Sequence, residues 1–207
     1  MNKKPRFIVF EGIDGAGKTT QITLLRKALE EAGVACKATL EPTELPSGKL
    51  LRRALSGELA KTPLEMAKLF AADREAHNTH PSEGIEKMLA DGYTVISDRY
   101  YYSSLAYQGA ALGYDTVAAL NLDNPHIRRP DLCVFLDLTP EVSLARIGSR
   151  GEKTEIYENL DYLTRTRAMF FDVFDRLRAR GERIAVINAS GSVEQVAQAV
   201  LSAVLEI

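Results

Sequence analysis

Phe7 to Gln21 reads FIVFEGIDGAGKTTQ, and the order of residue types in it decides the fold. Phe7, Ile8, Val9 and Phe10 form an apolar run without alternation, which predicts a strand buried on both faces. The chain then turns on Gly12, Gly15 and Gly17, and a helix restarts at Lys18. Gly12-Ile13-Asp14-Gly15-Ala16-Gly17-Lys18-Thr19 fits G-x-x-x-x-G-K-[ST] at every fixed position. The spacing has a chemical reason. Glycines let successive backbone N–H groups close around one anion, and the helix that follows adds partial positive charge at its start. Lys18 is expected to reach the β- and γ-phosphates, and the Thr19 hydroxyl to hold magnesium. The bland alternative is a glycine-rich turn that merely links strand to helix. A strand before and a helix after, with all fixed positions filled, favour a nucleoside-triphosphate site running from Gly12 to Thr20.

Composition sets the bounds. At 207 residues the chain is long enough for one domain with a full three-layer core. The formal net charge is −2, so no broad nucleic-acid footprint is expected. Cys36 and Cys133 both fall in apolar, strand-like runs, which suits a reduced, buried pair better than a disulfide. No apolar stretch approaches membrane-spanning length and no signal peptide precedes the first strand. The expected location is cytoplasmic.

Outward from the glycine loop, short apolar strands alternate with helices. Ile22, Leu25, Leu29 and Ala32 mark one face of a helix that stops at Gly33. Val34 to Leu40 predicts a second strand, the prolines of Glu41 to Pro46 a loop, and Ser47 to Leu55 a short helix. Thr62-Pro63-Leu64-Glu65 has the pattern of a capping box with proline at N1, opening a helix to about Thr79. A shorter helix reaches Ala90. Tyr93 to Ser97 predicts the third strand, and helical segments cover Ser103 to Leu112 and Asp115 to Asn121. Leu132 to Leu138 is a fourth strand, followed by a helix capped at Thr139-Pro140. Leu160 to Ala179 is a long helix, Arg183 to Asn188 a fifth strand, and Ser192 with Gln195 caps a last helix to Leu205. Five strands separated by helices, with no hairpin signal, predict an α/β parallel sheet covered on both faces. Sites in such folds lie beyond the carboxyl ends of the strands.

Two strands, Thr94 to Asp98 and Val134 to Asp137, end in aspartate. Asp98 suits a metal-water contact better, because Arg99 beside it could hold a second anion. Each aspartate could instead simply end a strand. Phe70, Arg74 and His77 share one helical face. A phenylalanine there is ordinarily core, yet an arginine beside it can read a base edge while the ring stacks. Arg146, Arg150 and Lys153 surround a glycine-flanked loop; they read either as surface charge or as a lid carrying arginine over transferring phosphates. Arg165 and Arg167 read as a solvated helix face.

Together these pieces resemble bacterial thymidylate kinases across nearly the whole chain. The resemblance rests on Phe10 to Gln21, on Leu69-Phe70-Ala71-Ala72-Asp73-Arg74, and on Asp98-Arg99-Tyr100 continuing through Ser103-Ser104 and Ala106-Tyr107-Gln108-Gly109. Pro130-Asp131-Leu132 leading to Leu136-Asp137 looks like the family's fourth strand. It implies the P-loop NTPase fold, a three-layer sandwich in one nucleoside monophosphate kinase domain over 1–207, with a lid at about 146–157. It also implies ATP-dependent phosphorylation of dTMP to dTDP with magnesium, held by Thr19 and Asp98, in a homodimer. By resemblance, Asp14 would bind the 3′-hydroxyl, Phe70 would stack on thymine, and Arg74 would bond its O4. Arg99 would hold the substrate phosphate, Ser104 and Gln108 would contact the base side, and Tyr107 would sit under the sugar. Arg146 and Arg150 resemble the bacterial lid-arginine arrangement. Two departures stand out: Leu40 replaces the arginine usual before the Glu-Pro pair, and Glu155-Ile156-Tyr157-Glu158 lacks the arginine often found there. The rivals are another nucleotide or deoxynucleoside kinase and a nucleotide-switched binding protein. The latter is disfavoured, since no Asn-Lys-x-Asp base-reading sequence occurs.

Overall fold

The protein is described by a computed structural model over residues 4–148 and 160–207, the side chain of Ile147 excepted. The strands are β1 (Phe7–Glu11), β2 (Cys36–Leu40), β3 (Thr94–Asp98), β4 (Leu132–Asp137) and β5 (Ile184–Asn188). They pair in the order β2-β3-β1-β4-β5, all parallel. The expected α/β class and five-stranded parallel sheet are therefore present.

The strand period of two explains why an unbroken apolar run was needed. Phe7 and Val9 point into one core, with Val95, Cys133 and Phe135 of the neighbouring strands. Ile8 and Phe10 point into the other, with Ile96, Val134 and Leu136. The second core is closed by Ile22, Leu25 and Leu29 of α1 (Lys18–Glu31) and by Val196, Val200 and Val204 of α9 (Val193–Leu205). The first is closed by α4 (Ile85–Ala90), α5 (Tyr101–Leu112), α6 (Tyr114–Asn121) and α8 (Leu160–Ala179), with Phe135, Phe170 and Phe174 clustered at ring separations of 4.9–5.8 Å. Phe7 to Phe10 thus bury their side chains on one side or the other, and polar substitution at any of the four would be costly.

The remaining helices are α2 (Pro46–Leu55), α3 (Pro63–Thr79) and α7 (Pro140–Gly148). Both predicted capping boxes form, at Thr62 with Glu65 and at Ser192 with Gln195. Helix α5 begins at Tyr101 rather than Ser103, for a reason that lies outside it. The Glu11 carboxylate accepts from the Tyr100 and Ser103 backbone N–H groups at 2.9 and 3.1 Å, capping the helix from β1. Cys133 is buried as expected. Cys36 is only half-buried, because β2 is an edge strand; both thiols are free.

Chain order switches direction around β1: β3 lies on one side of it and β4 on the other. The carboxyl ends of β1, β3 and β4 therefore open onto one crevice, the position where ligands enter such sheets. Phe10 is in register with Asp98, and Glu11 with Phe135.

Candidate active site

The phosphate loop leaves β1 into this crevice. Gly12 is required by a close approach: a Cβ there would sit 2.8 Å from the Leu136 carbonyl oxygen of β4. Gly17 occupies the N-cap of α1 in the left-handed region, and no side chain caps the helix. The first-turn N–H groups are left for an anion. Lys18 folds back over the loop, its Nζ donating to the Gly12 carbonyl at 3.1 Å and lying 3.9 Å from Asp14 Oδ1. Burial, and then the Arg99 guanidinium, bring its pKa down to about 8, against the pull of Asp98, Asp14 and Glu11.

The two strand-end aspartates part company here. Thr19 Oγ1 donates to Asp98 Oδ2 at 3.4 Å, so a hydroxyl and a carboxylate converge from α1 and β3. Hard oxygen donors of this kind suit magnesium, which normally takes one or two carboxylates and completes its shell with phosphate and water. No cluster of three or more metal-binding His, Cys, Asp or Glu side chains occurs among the described residues. Asp137 is instead gripped by Arg167 of α8, Nε to Oδ1 at 2.6 Å and Nη2 to Oδ2 at 2.8 Å. Arg167 is therefore no solvated bystander, which corrects the reading of its helix face. The returning α8 brings it over the end of β4, a meeting that sequence spacing does not encode.

A cavity of about 240 Å³ flanks the loop, lined by Gly15, Gly17, Thr20, Gln21, Arg146 and the turn after β5. Arg146 Nη2 donates to the Ala189 carbonyl at 3.0 Å. Ala189 and Gly191 line this cavity and carried no motif; the glycine-containing turn before the Ser192 cap was their only signal.

A larger cavity of about 480 Å³ opens on the other side of the crevice. Asp14, Phe70, Arg74, Arg99, Ser104, Tyr107 and Gln108 all line it, so residues up to 94 positions apart in the chain come together. Phe70 is half-buried on the wall, not packed into the core. Arg74 is 1% exposed and held on two edges. Its Nε and Nη2 approach Glu41 Oε2 at 2.8 and 2.7 Å, and its Nη1 donates to Ser104 Oγ at 3.3 Å and to Asn121 Oδ1. His77 Nδ1 lies 3.0 Å from the other Glu41 oxygen. Gln108 Oε1 is buried with no hydrogen-bond partner among the described residues, an acceptor left for something else.

Arg99 holds a positive φ of 69°, uncommon for a residue with a side chain. That turn sends its guanidinium across the crevice to Asp14 Oδ1 and, at 3.2 Å, to Ser103 Oγ. Burial alone would lower its pKa; Tyr107, Asp14, Glu11 and Asp98 more than reverse this and keep it charged. Its Cζ also lies 5.9 Å from the centre of the Tyr107 ring. Burial pushes the Tyr107 phenol up to about 12, so it stays protonated near neutrality. Glu11 completes the group: fully buried, it accepts from Ser103 Oγ at 2.7 Å, and burial raises its pKa against the neighbouring cations and donors.

Glu11, Glu41 and Asn121 were not singled out from sequence. For Glu11 the signal was a carboxylate ending an otherwise apolar strand; for Asn121 there was none. Leu40, the position at which the resemblance implies an arginine, is exposed at the end of β2. Arg150, Lys153 and Glu155 to Glu158 lie outside the described residues. No helix among the described residues is long and apolar enough to cross a membrane.

The family model for thymidylate kinase matches residues 10–200. A thymidylate kinase of Leptospira interrogans is 38% identical, over 88% of this chain and 89% of its own. One from Neisseria gonorrhoeae is 37% identical over 93% of each chain. A probable thymidylate kinase of Thermococcus gammatolerans is 41% identical, over 92% of this chain and 91% of its own.

Proposed function

The chain belongs to the thymidylate kinase family, and from that premise we propose that it transfers the γ-phosphoryl group of ATP to dTMP, giving dTDP, at the crevice between its two cavities. One observation carries the assignment of residues. Asp14 belongs to the phosphate loop, lines the larger cavity and contacts Arg99, so a donor and an acceptor phosphate would meet at one point. Such transfer needs no covalent intermediate and no strong base. It needs two phosphates in line and their developing charge neutralised.

Each side chain then has a task. Lys18 and the loop N–H groups bind the β- and γ-phosphates, and Arg99 holds the phosphate of dTMP. Phe70 stacks on thymine, Arg74 donates to its O4, and the unpartnered Gln108 acceptor, beside Ser104, takes a base donor. Asp14 binds the 3′-hydroxyl, and Tyr107 lies where a 2′-hydroxyl would clash. Thr19 and Asp98 would hold magnesium, which when bound supplies positive charge to the β- and γ-oxygens. Arg146 and Arg150 take the lid-arginine role that the resemblance implies, in a cytoplasmic homodimer of single-domain subunits. Arg150→Ala should lower kcat more than it raises the KM for dTMP, because the contact forms mainly in the transition state. Unchanged kinetics would return the cluster to surface charge.

The deciding experiment is ADP release from ATP across dTMP, dUMP, dCMP, dGMP and ribo-TMP. dTMP should be used best. dUMP keeps O4 and loses only a methyl, roughly 1 kcal/mol of apolar burial, so it should be accepted weakly. Equal use of dCMP and dTMP would sink the base assignment and favour a broader nucleotide kinase. Sedimentation of the purified protein checks the dimer.

A further inference from the structure

We propose that Asn121 is a positioning residue for base recognition, fixing the Arg74 guanidinium so that a single N–H remains for the base. The inference rests on the dTMP reading of the larger cavity. Asn121 is the last residue of α6 and is fully buried. Its Nδ2 donates to the Val117 carbonyl one turn back at 2.8 Å. That bond fixes the amide: reversed, it would set oxygen against the Val117 oxygen and nitrogen against the Arg74 donor. Oδ1 must therefore face Arg74 Nη1, where it accepts.

A guanidinium has five N–H donors in one plane. In Arg74, Nε donates to Glu41 Oε2, which also lies 2.7 Å from Nη2 as an ion pair, and the two Nη1 hydrogens go to Ser104 and Asn121. One Nη2 hydrogen is left without a protein partner among the described residues. Glu41 alone would hold the group by one edge through a single oxygen, about which it could swing. Asn121, reaching the opposite edge from a separate helix, removes that freedom. The remaining donor then has one direction, which suits one carbonyl acceptor and rejects an amino group. Asn121 also lines a second cavity, of about 270 Å³, with Tyr101, Arg129, Arg180 and Glu182. It thus forms the partition between that space and Arg74.

The test is steady-state kinetics of Asn121→Ala, Asn121→Asp and Arg74→Ala with ATP, dTMP and dCMP. Asn121→Ala should raise the KM for dTMP roughly tenfold, with kcat and the KM for ATP within about threefold of wild type. Its preference for dTMP over dCMP should narrow. Asn121→Asp keeps an acceptor toward Arg74 and should recover most of the dTMP affinity, even where its melting temperature falls through the lost Val117 bond. A KM for dTMP unchanged in Asn121→Ala while Arg74→Ala raises it would overturn the proposal and leave the base site standing. Equal losses for ATP and dTMP in both Asn121 variants would overturn it too, as a purely structural effect. If Arg74→Ala itself leaves dTMP use intact, the reading of the cavity fails, and the proposal with it.

Discussion

The phosphate loop takes its donors from one run of backbone, Gly12 to Lys18, whereas the larger cavity takes its polar groups from side chains carried by α3, α5, the strand ends and, at Asp14, the loop itself. The first is held by conformations that glycine permits and by a helix start, so its geometry comes with the local sequence. The second is held by contacts among distant groups: Glu41 on Arg74, Ser103 between Glu11 and Arg99, Asp14 on Arg99. A backbone site recognises phosphate in general. A side-chain site can recognise one base and one sugar, because each donor and acceptor is placed separately, at the cost of needing its own supports.

This contrast can be broken by single substitutions. The largest effect should come from the backbone-built side. Lys18→Ala removes the only side-chain cation of the loop and should lower kcat by about 10²–10³. Calorimetric binding of dTMP should stay within about threefold of wild type, because the acceptor cavity is separate. A variant that retains wild-type turnover would refute the phosphate-loop assignment.

Next comes the side-chain-built side. Arg74→Ala should cut kcat/KM for dTMP by about 10- to 100-fold, through the unpaired base oxygen and the uncompensated Glu41 carboxylate it leaves. The loss should fall on dTMP far more than on dCMP, since the wild-type arginine gives dCMP nothing. If both substrates fall together, Arg74 is a structural ion pair and selectivity lies elsewhere.

A smaller, pH-dependent effect separates the two sides without mutation. Lys18 titrates at about 8 in the free protein, below the ordinary 10.5. It is charged below that point and neutral above it, so kcat/KM for ATP should be level up to about pH 8 and then fall, approaching tenfold per pH unit. The kcat profile should stay level further, because bound polyphosphate raises the lysine pKa again. The stability term has the opposite sense. Because the folded pKa is depressed, charged Lys18 costs stability below about pH 8, and that cost fades as pH rises from 8 toward 10.5. A kcat/KM profile for ATP that is level to pH 10 would show the lysine to be less perturbed than its burial implies.

The smallest effect should come from the pair that looked like a second site. Arg167→Ala removes a partly exposed bidentate partner of Asp137 and should cost about 1 kcal/mol of stability, read as a lower melting temperature. The KM values for ATP and dTMP should hold. A large fall in kcat with unchanged stability would mean that Asp137 serves the reaction.

How far the sequence reached follows the same division. The apolar run of β1, the glycine spacing, the capping boxes at Thr62 and Ser192 and the strand–helix alternation are local patterns, and they determined the sheet, its helices and the phosphate loop. Boundaries failed where a partner came from elsewhere, as at Tyr101, whose helix starts early because Glu11 caps it from another strand. Phe70 and Arg74 were visible as a helical face, but whether that face met a core or a cavity depended on α5 and α6 packing opposite it. Asp98 and Asp137 ended similar strands; only the return of α8 gave one of them an arginine and left the other beside Thr19. Asn121 carried no local signal at all. A side chain's own neighbours set its backbone conformation, but a hydrogen bond across 47 residues exists only after the elements between have packed.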